Sequence, residues 1–179
     1  GVIPTNDGLA CVFAAGPAAV LAARMRHSRP LDAARDLLAR LDCGLSDRTS
    51  GAPEGPVRFF RGLPARLRRP HGPGWALVGD AGWWKDPLST YGITDAFRDA
   101  ELLARAVVAG AASDQAMRIA LGRYQAERDG HALPMHPIVD RLASHQWDLA
   151  QVQQLLRALS SVMADDVEGI RALDPLGDP

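Results

Sequence analysis

The stretch WALVGDAGWWKDPLSTYGITDAFRDAELLARAVV, residues 75–108, decides how this chain is organised. Its first four residues, Trp75 to Val78, form an apolar run between two glycines, which is typical of a strand buried on both faces of a parallel sheet. Asp80 then lies at the carboxyl end of that strand, where open α/β sheets bind their ligands. An aspartate that only caps a turn fits the same position, and spacing alone does not separate the two roles.

An amphipathic helix is predicted after this turn. Its apolar positions recur at helical spacing and form one stripe: Ile93, Ala96, Phe97, Ala100, Leu103, Ala104 and Val107. The polar positions on the opposite face are Asp95, Arg98, Asp99, Glu101 and Arg105. Ser89 or Thr90 is expected to cap the helix start, and Gly110 is expected to end the helix. The first turn directs unpaired N–H groups and a positive dipole end toward Asp80, which favours an anion or a polarised carbonyl there.

A resemblance to a known family rests on four segments: Gly79-Asp80-Ala81, Asp86-Pro87, Gly92-Ile93-Thr94-Asp95-Ala96 and Glu101-Leu102-Leu103-Ala104. Together they resemble the second FAD-binding motif of group A flavin monooxygenases, the para-hydroxybenzoate hydroxylase-like enzymes. Flavin halogenases and geranylgeranyl reductase-like proteins are relatives of that family. The segment Tyr124–Asp129 extends the resemblance more loosely along the chain.

The resemblance implies FAD as the cofactor. The implied cofactor-binding residues are Gly79, Asp80, Ala81, Pro87, Gly92, Ile93 and Thr94. Asp80 would hydrogen-bond a ribityl hydroxyl, Pro87 would lie beside the isoalloxazine ring, and the N–H groups of residues 92–94 would meet the flavin pyrimidine edge. A helix start suits that edge because the reduced ring carries negative charge there. At Trp83 and Trp84 the sequence departs from the family, which usually has a smaller residue or a histidine.

The chain is expected to be a fragment. It starts at Gly1 without a methionine, and it contains no G-x-G-x-x-G turn of the kind that holds the FAD pyrophosphate. We therefore predict the C-terminal part of a two-domain α/β FAD-binding oxidoreductase, inactive alone because the phosphate-binding half lies upstream. Residues 1–70 would end the substrate-binding sheet region, 71–110 would complete the FAD-binding domain, and 111–179 would form a C-terminal helical region.

The predicted activity is that of a flavin monooxygenase that takes electrons from NADH or NADPH and oxidises a small organic substrate. Geranylgeranyl reductase-like or halogenase-like chemistry is the alternative with the same cofactor. A halogenase needs a functional lysine, and Lys85, the only lysine in the chain, fits that role poorly because it lies in the flavin loop. A non-catalytic helical interaction module is the alternative from a different class, with Asp80 and Pro87 as turn residues. No side chain is assigned as a catalytic acid or base.

Composition limits the partners. Hydrophobic residues make up 47% and charged residues 23%, as in ordinary soluble proteins, and the net charge of −1 gives no case for nucleic acid or a membrane surface. The chain has neither a membrane-span-length apolar run nor a signal-peptide pattern. The basic run Arg61–Arg69 fits a phosphate contact or a solvated loop, and the solvated loop is favoured.

Cysteine and histidine spacing gives no metal site. Cys11 and Cys43 are predicted to be reduced thiols of a cytoplasmic protein. His131, His136 and His145 lack the spacing and the partner ligands of a metal set.

The remaining elements follow from turn and helix signals. They are a hairpin over Val2–Ala15, helices from Pro17 to about His27 and from Pro30 to Asp42, a strand over Val57–Arg61, and a helix from Ser113 or Asp114 to about Asp129. Pro134 and Pro137 are expected to break or kink the chain that follows. A last helix carries the stripe Leu149, Val152, Leu156, Leu159 and Met163.

Overall fold

The computed structural model describes residues 1–40, 44, 47, 49, 51–60 and 62–173. The chain divides into two compact units, residues 1–62 and 63–179, and the second holds both the predicted end of the FAD-binding domain and the predicted helical region. Over the described ranges the fold is mixed but mostly helical, which agrees with the α/β class at a coarse level. Each described strand pair is antiparallel, so the predicted parallel sheet is not found in this part of the chain.

The first unit begins with the predicted hairpin, which is confirmed. Strand β1 (Val2–Pro4) pairs with β2 (Ala10–Val12), with Val2 opposite Val12. Asp7 and Gly8 turn the chain at φ values of 58° and 72°. Aspartate and glycine are among the residues that tolerate this left-handed region, which is why the Asn-Asp-Gly signal located the turn.

Two helices follow in the same unit. Helix α1 (Ala18–Met25) starts after Pro17, and α2 (Pro30–Ala39) has Pro30 in its first turn, both as predicted. Asp42, the predicted end of α2, lies outside the described residues, as do Cys43 and Arg61. The strand predicted over Val57–Arg61 is wrong for its described part, because residues 57–60 form no strand.

The second unit opens with two short ladders. Strand β3 (Arg66–Leu67) pairs with β6 (Trp83–Trp84), and β4 (His71–Gly72) pairs with β5 (Trp75–Ala76). The strand buried on both faces predicted at Trp75–Val78 is therefore wrong. Trp75 is 48% exposed because its ring lies across its ladder partner Gly72, where an added Cβ would lie 2.6 Å from the ring.

Three long helices complete this unit: α3 (Gly92–Gly110), α4 (Asp114–Ala143) and α5 (Leu149–Arg171). Gly110 ends α3 as predicted, and the Ser113 hydroxyl caps α4 by accepting a hydrogen bond from the Ala116 N–H at 3.1 Å. The predicted cap of α3 is wrong, because Tyr91 occupies the capping position and makes no side-chain bond. None of the described helices is both long and apolar enough to cross a membrane.

Helix α4 continues through Pro134 and Pro137, so of the predicted break or kink the break is wrong. Proline removes the N–H that would bond the carbonyl four residues earlier. Here those carbonyls belong to Gly130 and Leu133, and both residues and both prolines are exposed, so water can satisfy the freed groups.

The core lies where α4 meets its neighbours. One cluster joins Trp83 and Tyr91 to the buried face of α4 and to Leu159 of α5, and a second joins Leu102 and Ala106 of α3 to Ala120 and Tyr124 of α4. The predicted α5 stripe is only partly inward, since Leu149 and Leu156 are exposed. This packing fixes α4 behind the turn that carries Asp80.

Candidate functional site

The turn that carries Asp80 is held by α4 on both sides. Residues Gly79–Ala81 form one 3-10 turn, with Gly79 buried at φ 53° and Asp80 exposed. The Tyr124 hydroxyl donates to the Leu77 carbonyl at 2.6 Å, before the turn. After the turn, the Arg128 guanidinium donates to the Gly82 carbonyl at 3.3 Å. The backbone around Asp80 is therefore fixed by side chains from the segment that loosely extends the family resemblance.

The structure brings Asp80 to the start of α3, as predicted. Its Oδ1 lies 3.7 Å from the position that a Cβ would take on Gly92, the first residue of the helix. The first intrahelical bond runs from the Asp95 N–H to the Tyr91 carbonyl at 3.0 Å. The N–H groups of residues 92–94 precede that bond, and no acceptor among the described residues bonds them. A carboxylate and a set of available amides thus stand next to each other.

The other predicted cofactor-binding residues frame this position. Pro87 begins a second 3-10 turn, Pro87–Ser89, and Asp86 caps it by accepting from the Leu88 N–H at 3.0 Å. Ala81 and Pro87 are exposed, Thr94 is half-buried, and Ile93 is 76% exposed.

Helix α3 buries the face opposite to the one that its periodicity predicted to be buried. The side chains that it buries are those of Asp95, Arg98, Asp99, Leu102 and Ala106. Phe97, on the predicted apolar stripe, is 75% exposed. The polar residues can be buried because they pair with one another, with Asp166 on α5 and with Lys85 on residues 79–91, the site loop.

Arg98 is the centre of a buried ion cluster. Its Nη1 lies 2.9 Å from Asp95 Oδ1, and its Nη2 lies 2.8 Å from Asp99 Oδ1. Nη1 also contacts Asp166 Oδ2 of α5 at 3.2 Å. Lys85 supplies a second buried cation through its ion pair with Asp95. The Arg98 guanidinium therefore joins α3 to α5, and Asp95 joins the cluster to Lys85.

His131 connects this cluster to the surface. Its Nδ1 lies 2.5 Å from Asp166 Oδ1, and its side chain is about a quarter exposed. Burial on its own would raise the pKa of Asp166, but the bond from His131 and the charge of Arg98 outweigh it, so the pKa lies below its usual value. Asp166 is accordingly held as a carboxylate.

Trp83 and Trp84 mark the positions at which the sequence departs from the family that it resembles. The two side chains have different environments. Trp83 is buried in the core, and its Nε1 donates to His136 Nδ1 at 3.0 Å. The Lys85 ammonium lies 3.8 Å above the Trp83 ring centroid. Trp84 donates to the Leu63 carbonyl at 3.3 Å. The larger residue at position 83 therefore fills the core beneath the site loop.

Comparison with known proteins gives no relative for this chain. No protein-family model matches it, and no curated protein or solved structure matches it either.

Lys85 is expected to titrate well below an ordinary lysine. Burial and, to a smaller extent, the charge of Arg98 lower its pKa to about 8, against the opposing carboxylates of Asp80, Asp99 and Asp166. Between that pKa and the usual 10.5 the unfolded chain binds more protons than the folded chain, so the free energy of unfolding rises with pH across this window.

The measurement is direct because the chain has a single lysine. ¹⁵Nζ NMR of lysine-labelled protein reports its titration, and urea unfolding between the two pH values reports the stability. The Lys85→Met variant should lack this pH dependence. A folded-state lysine pKa at the usual value would contradict the prediction.

Sequence reasoning missed the ion cluster, including Asp166 and His131. The available signal was positional, because Asp95, Asp99, Leu102 and Ala106 share one helix face at spacings of three and four. Two charged residues on the same helix face as apolar residues indicate that the face is buried and that partners satisfy its charges.

Two other features lie apart from this site. A cleft of about 380 Å³ is lined by Arg69, by residues 71–74 and by Asp114, Met117, Arg118 and Leu121 of α4, and it does not include Asp80. Across the described residues no cluster of three or more His, Cys, Asp or Glu side chains could hold a metal ion.

Proposed function

We propose that this chain is the C-terminal part of an FAD-dependent oxidoreductase, with the flavin and ribityl part of the cofactor bound between the Asp80 turn and the start of α3. The observation that carries the proposal is the exposed Asp80 carboxylate beside the available amides of residues 92–94. Either feature alone is common in proteins. Their juxtaposition supplies an acceptor for a sugar hydroxyl next to donors for a ring edge.

The chemistry of the cofactor fits these groups. A ribityl hydroxyl donates a hydrogen bond, and an exposed carboxylate is a strong acceptor for it. The carbonyl oxygens and ring nitrogen of the flavin pyrimidine edge accept hydrogen bonds, and helix-start amides stabilise negative charge that develops there on reduction. The flavin supplies the redox chemistry, and the chain's own residues bind and orient it.

The exposed stripe of α3 supports the same proposal. Ile93, Phe97 and Val108 lie on one side of the helix and are each about three-quarters exposed. Apolar side chains in this number on one helix face are typical of a surface that packs against another protein element. On this proposal the remainder of the FAD-binding domain, including its phosphate-binding half, covers them.

The activity that we propose is oxidation of a small organic substrate with NADH or NADPH as the electron donor. Monooxygenation follows from the family resemblance. A halogenase that used Lys85 is disfavoured, because the Lys85 ammonium is buried in an ion pair with Asp95. A purely structural role for Asp80 is disfavoured because the residue is exposed and its carboxylate lies beside Gly92 at the start of α3.

The experiment is purification of the natural full-length gene product. We expect a yellow protein with a flavin absorption spectrum, release of FAD on denaturation, and FAD-dependent oxidation of NADH or NADPH. A colourless protein that neither retains added FAD nor oxidises either nucleotide would contradict the proposal.

Replacement of Asp80 by alanine should weaken flavin binding. The ribityl hydroxyl loses its charged acceptor, which is worth about 1.5–3 kcal/mol, or roughly ten- to a hundredfold in the dissociation constant. Flavin fluorescence during equilibrium dialysis measures that constant. Asp140→Ala, at an exposed position of α4, is the matched control and should bind flavin as the unmodified protein does. Equal affinity in the two variants would favour the turn-capping role of Asp80.

A further inference from the structure

The Gly79 backbone adopts a conformation that few residues tolerate. Its φ is 53°, and a Cβ on it would lie 2.9 Å from the Cβ of Ala96 and 3.1 Å from the Ala96 Cα. The turn therefore lies directly on the backbone of α3 and has a left-handed first residue. Glycine adopts this conformation without strain, whereas a residue with a side chain would be strained here and would meet α3.

The Asp99 carboxylate holds the Gly79 amide in this turn. The Gly79 N–H donates to Asp99 Oδ2 at 3.0 Å, and both groups are buried. Asp99 lies two helical turns along α3 from Gly92, so the helix that supplies the available amides also fixes the turn that carries Asp80. A hydrogen bond from a backbone amide to a charged acceptor is stronger than a neutral one.

Arg98 leaves that oxygen free for Gly79. The guanidinium Nε and Nη2 both contact Asp99 Oδ1, at 3.2 Å and 2.8 Å. Oδ1 is thereby occupied, and Oδ2 faces the amide. Asp166 on α5 bonds Nη1 of the same guanidinium, so the C-terminal helix contributes to this alignment through Arg98.

We propose that Asp99 is a positioning residue for the cofactor site: its Oδ2, aligned by Arg98, fixes the Gly79 amide and so places the Asp80 carboxylate at the start of α3. The consequence for cofactor binding rests on the proposed function. The consequence for the turn does not. The two parts can therefore be tested separately in the same variants.

Asp99→Asn is the informative substitution. An asparagine has one oxygen, so it can satisfy either Arg98 or the Gly79 N–H, and its amino group then faces the other donor. Asp95→Asn is the matched control, because Asp95 lies on the same helix, is equally buried and contacts the same guanidinium, yet does not touch Gly79. Asp95→Asn also weakens the ion pair with Lys85, whereas only Asp99→Asn changes the acceptor of the Gly79 N–H.

Amide hydrogen exchange by NMR measures that bond. The Leu77 N–H is the internal reference, since it donates to the Pro70 carbonyl at 2.7 Å on the same side of the turn. We expect the ratio of Gly79 to Leu77 exchange rates to rise about tenfold in Asp99→Asn and to change less than about threefold in Asp95→Asn. An equal change in both variants would overturn the proposal.

A second measurement needs no variant. A scalar coupling through the hydrogen bond between the Gly79 amide nitrogen and the Asp99 carboxylate carbon should be detectable in the unmodified, deuterated chain. Its absence under conditions where the Leu77–Pro70 coupling is seen would also overturn the proposal, whether or not Asp99→Asn folds.

Flavin affinity of the full-length gene product completes the test. We expect Asp99→Asn to raise the FAD dissociation constant about tenfold and Asp95→Asn to raise it less than about threefold. If the Gly79 amide is released but FAD affinity is unchanged, Asp99 does not position the site. If the Gly79 amide is released and the unmodified protein binds no FAD, the proposed function fails while the role of Asp99 in the turn stands.

Discussion

Replacement of Arg98 by methionine should destabilise the second unit by about 3–5 kcal/mol, because it removes one partner from a buried ionic network and leaves the others uncompensated. Arg98 is buried and contacts Asp95, Asp99 and Asp166. Methionine replaces the aliphatic part of the arginine side chain and lacks the guanidinium group, so the variant loses the charge and its hydrogen bonds. Lys85 remains as a cation, and its ion pair is with Asp95, one of the three carboxylates.

Urea unfolding monitored by tryptophan fluorescence measures this loss, since Trp83 lies in the core beneath the cluster. The control is Arg171→Met, which removes an ion pair with Glu168 in which both side chains are 71% exposed. Exposed pairs of this kind contribute about 0–1 kcal/mol. If the two variants lose the same stability, Arg98 does not neutralise its three neighbours in the folded protein.

The buried face of α3 shows what periodicity does and does not determine. The 3.6-residue pattern correctly predicted an amphipathic helix and its end at Gly110, because these depend on local spacing and on glycine. The orientation of the helix depends on partners distant in sequence. Lys85 and Asp166 satisfy the charges of Asp95 and Arg98, so the polar face is buried and the apolar stripe is left exposed.

Short strands and internal prolines were mispredicted for related reasons. An apolar run such as Trp75–Val78 has no alternation that distinguishes a buried strand from one arm of a small hairpin, and here the Trp75 ring packs on Gly72 instead. Pro134 and Pro137 are tolerated in α4 because the exposed side of the helix can release two backbone bonds to water. Both outcomes depend on solvent exposure, which local sequence does not specify.

The sequence predicted the centre of the candidate site, but it did not predict the contacts that hold this centre in place. The Gly-Asp signal and the following helix start predicted that Asp80 and Gly92 would lie together, and they do. The bond from Gly79 to Asp99 spans twenty residues and depends on the crossing of the turn over α3. Spacing rules describe neighbours within one element, so they do not predict such a contact.

Replacement of Gly79 by alanine should cost about 2–5 kcal/mol of stability and abolish flavin retention on the proposed function. A left-handed conformation costs an L-residue about 1–2 kcal/mol, and forcing a methyl group into a packed contact costs about 1–3 kcal/mol. Here the added Cβ would meet the Cβ and Cα of Ala96 within 3.1 Å. Because the Cα belongs to the helix backbone, the turn must move away from α3, and Asp80 moves with it.

The control is Gly122→Ala, at a position of α4 where nothing lies within 4 Å of an added Cβ. In a helix that substitution should stabilise the chain by about 0.5–1 kcal/mol, since alanine loses less backbone entropy on folding. The two alanine variants are therefore expected to shift the urea midpoint in opposite directions. A stable Gly79→Ala protein that keeps its flavin would mean that the turn does not need close contact with α3, and that Asp80 can reach the helix start from another conformation.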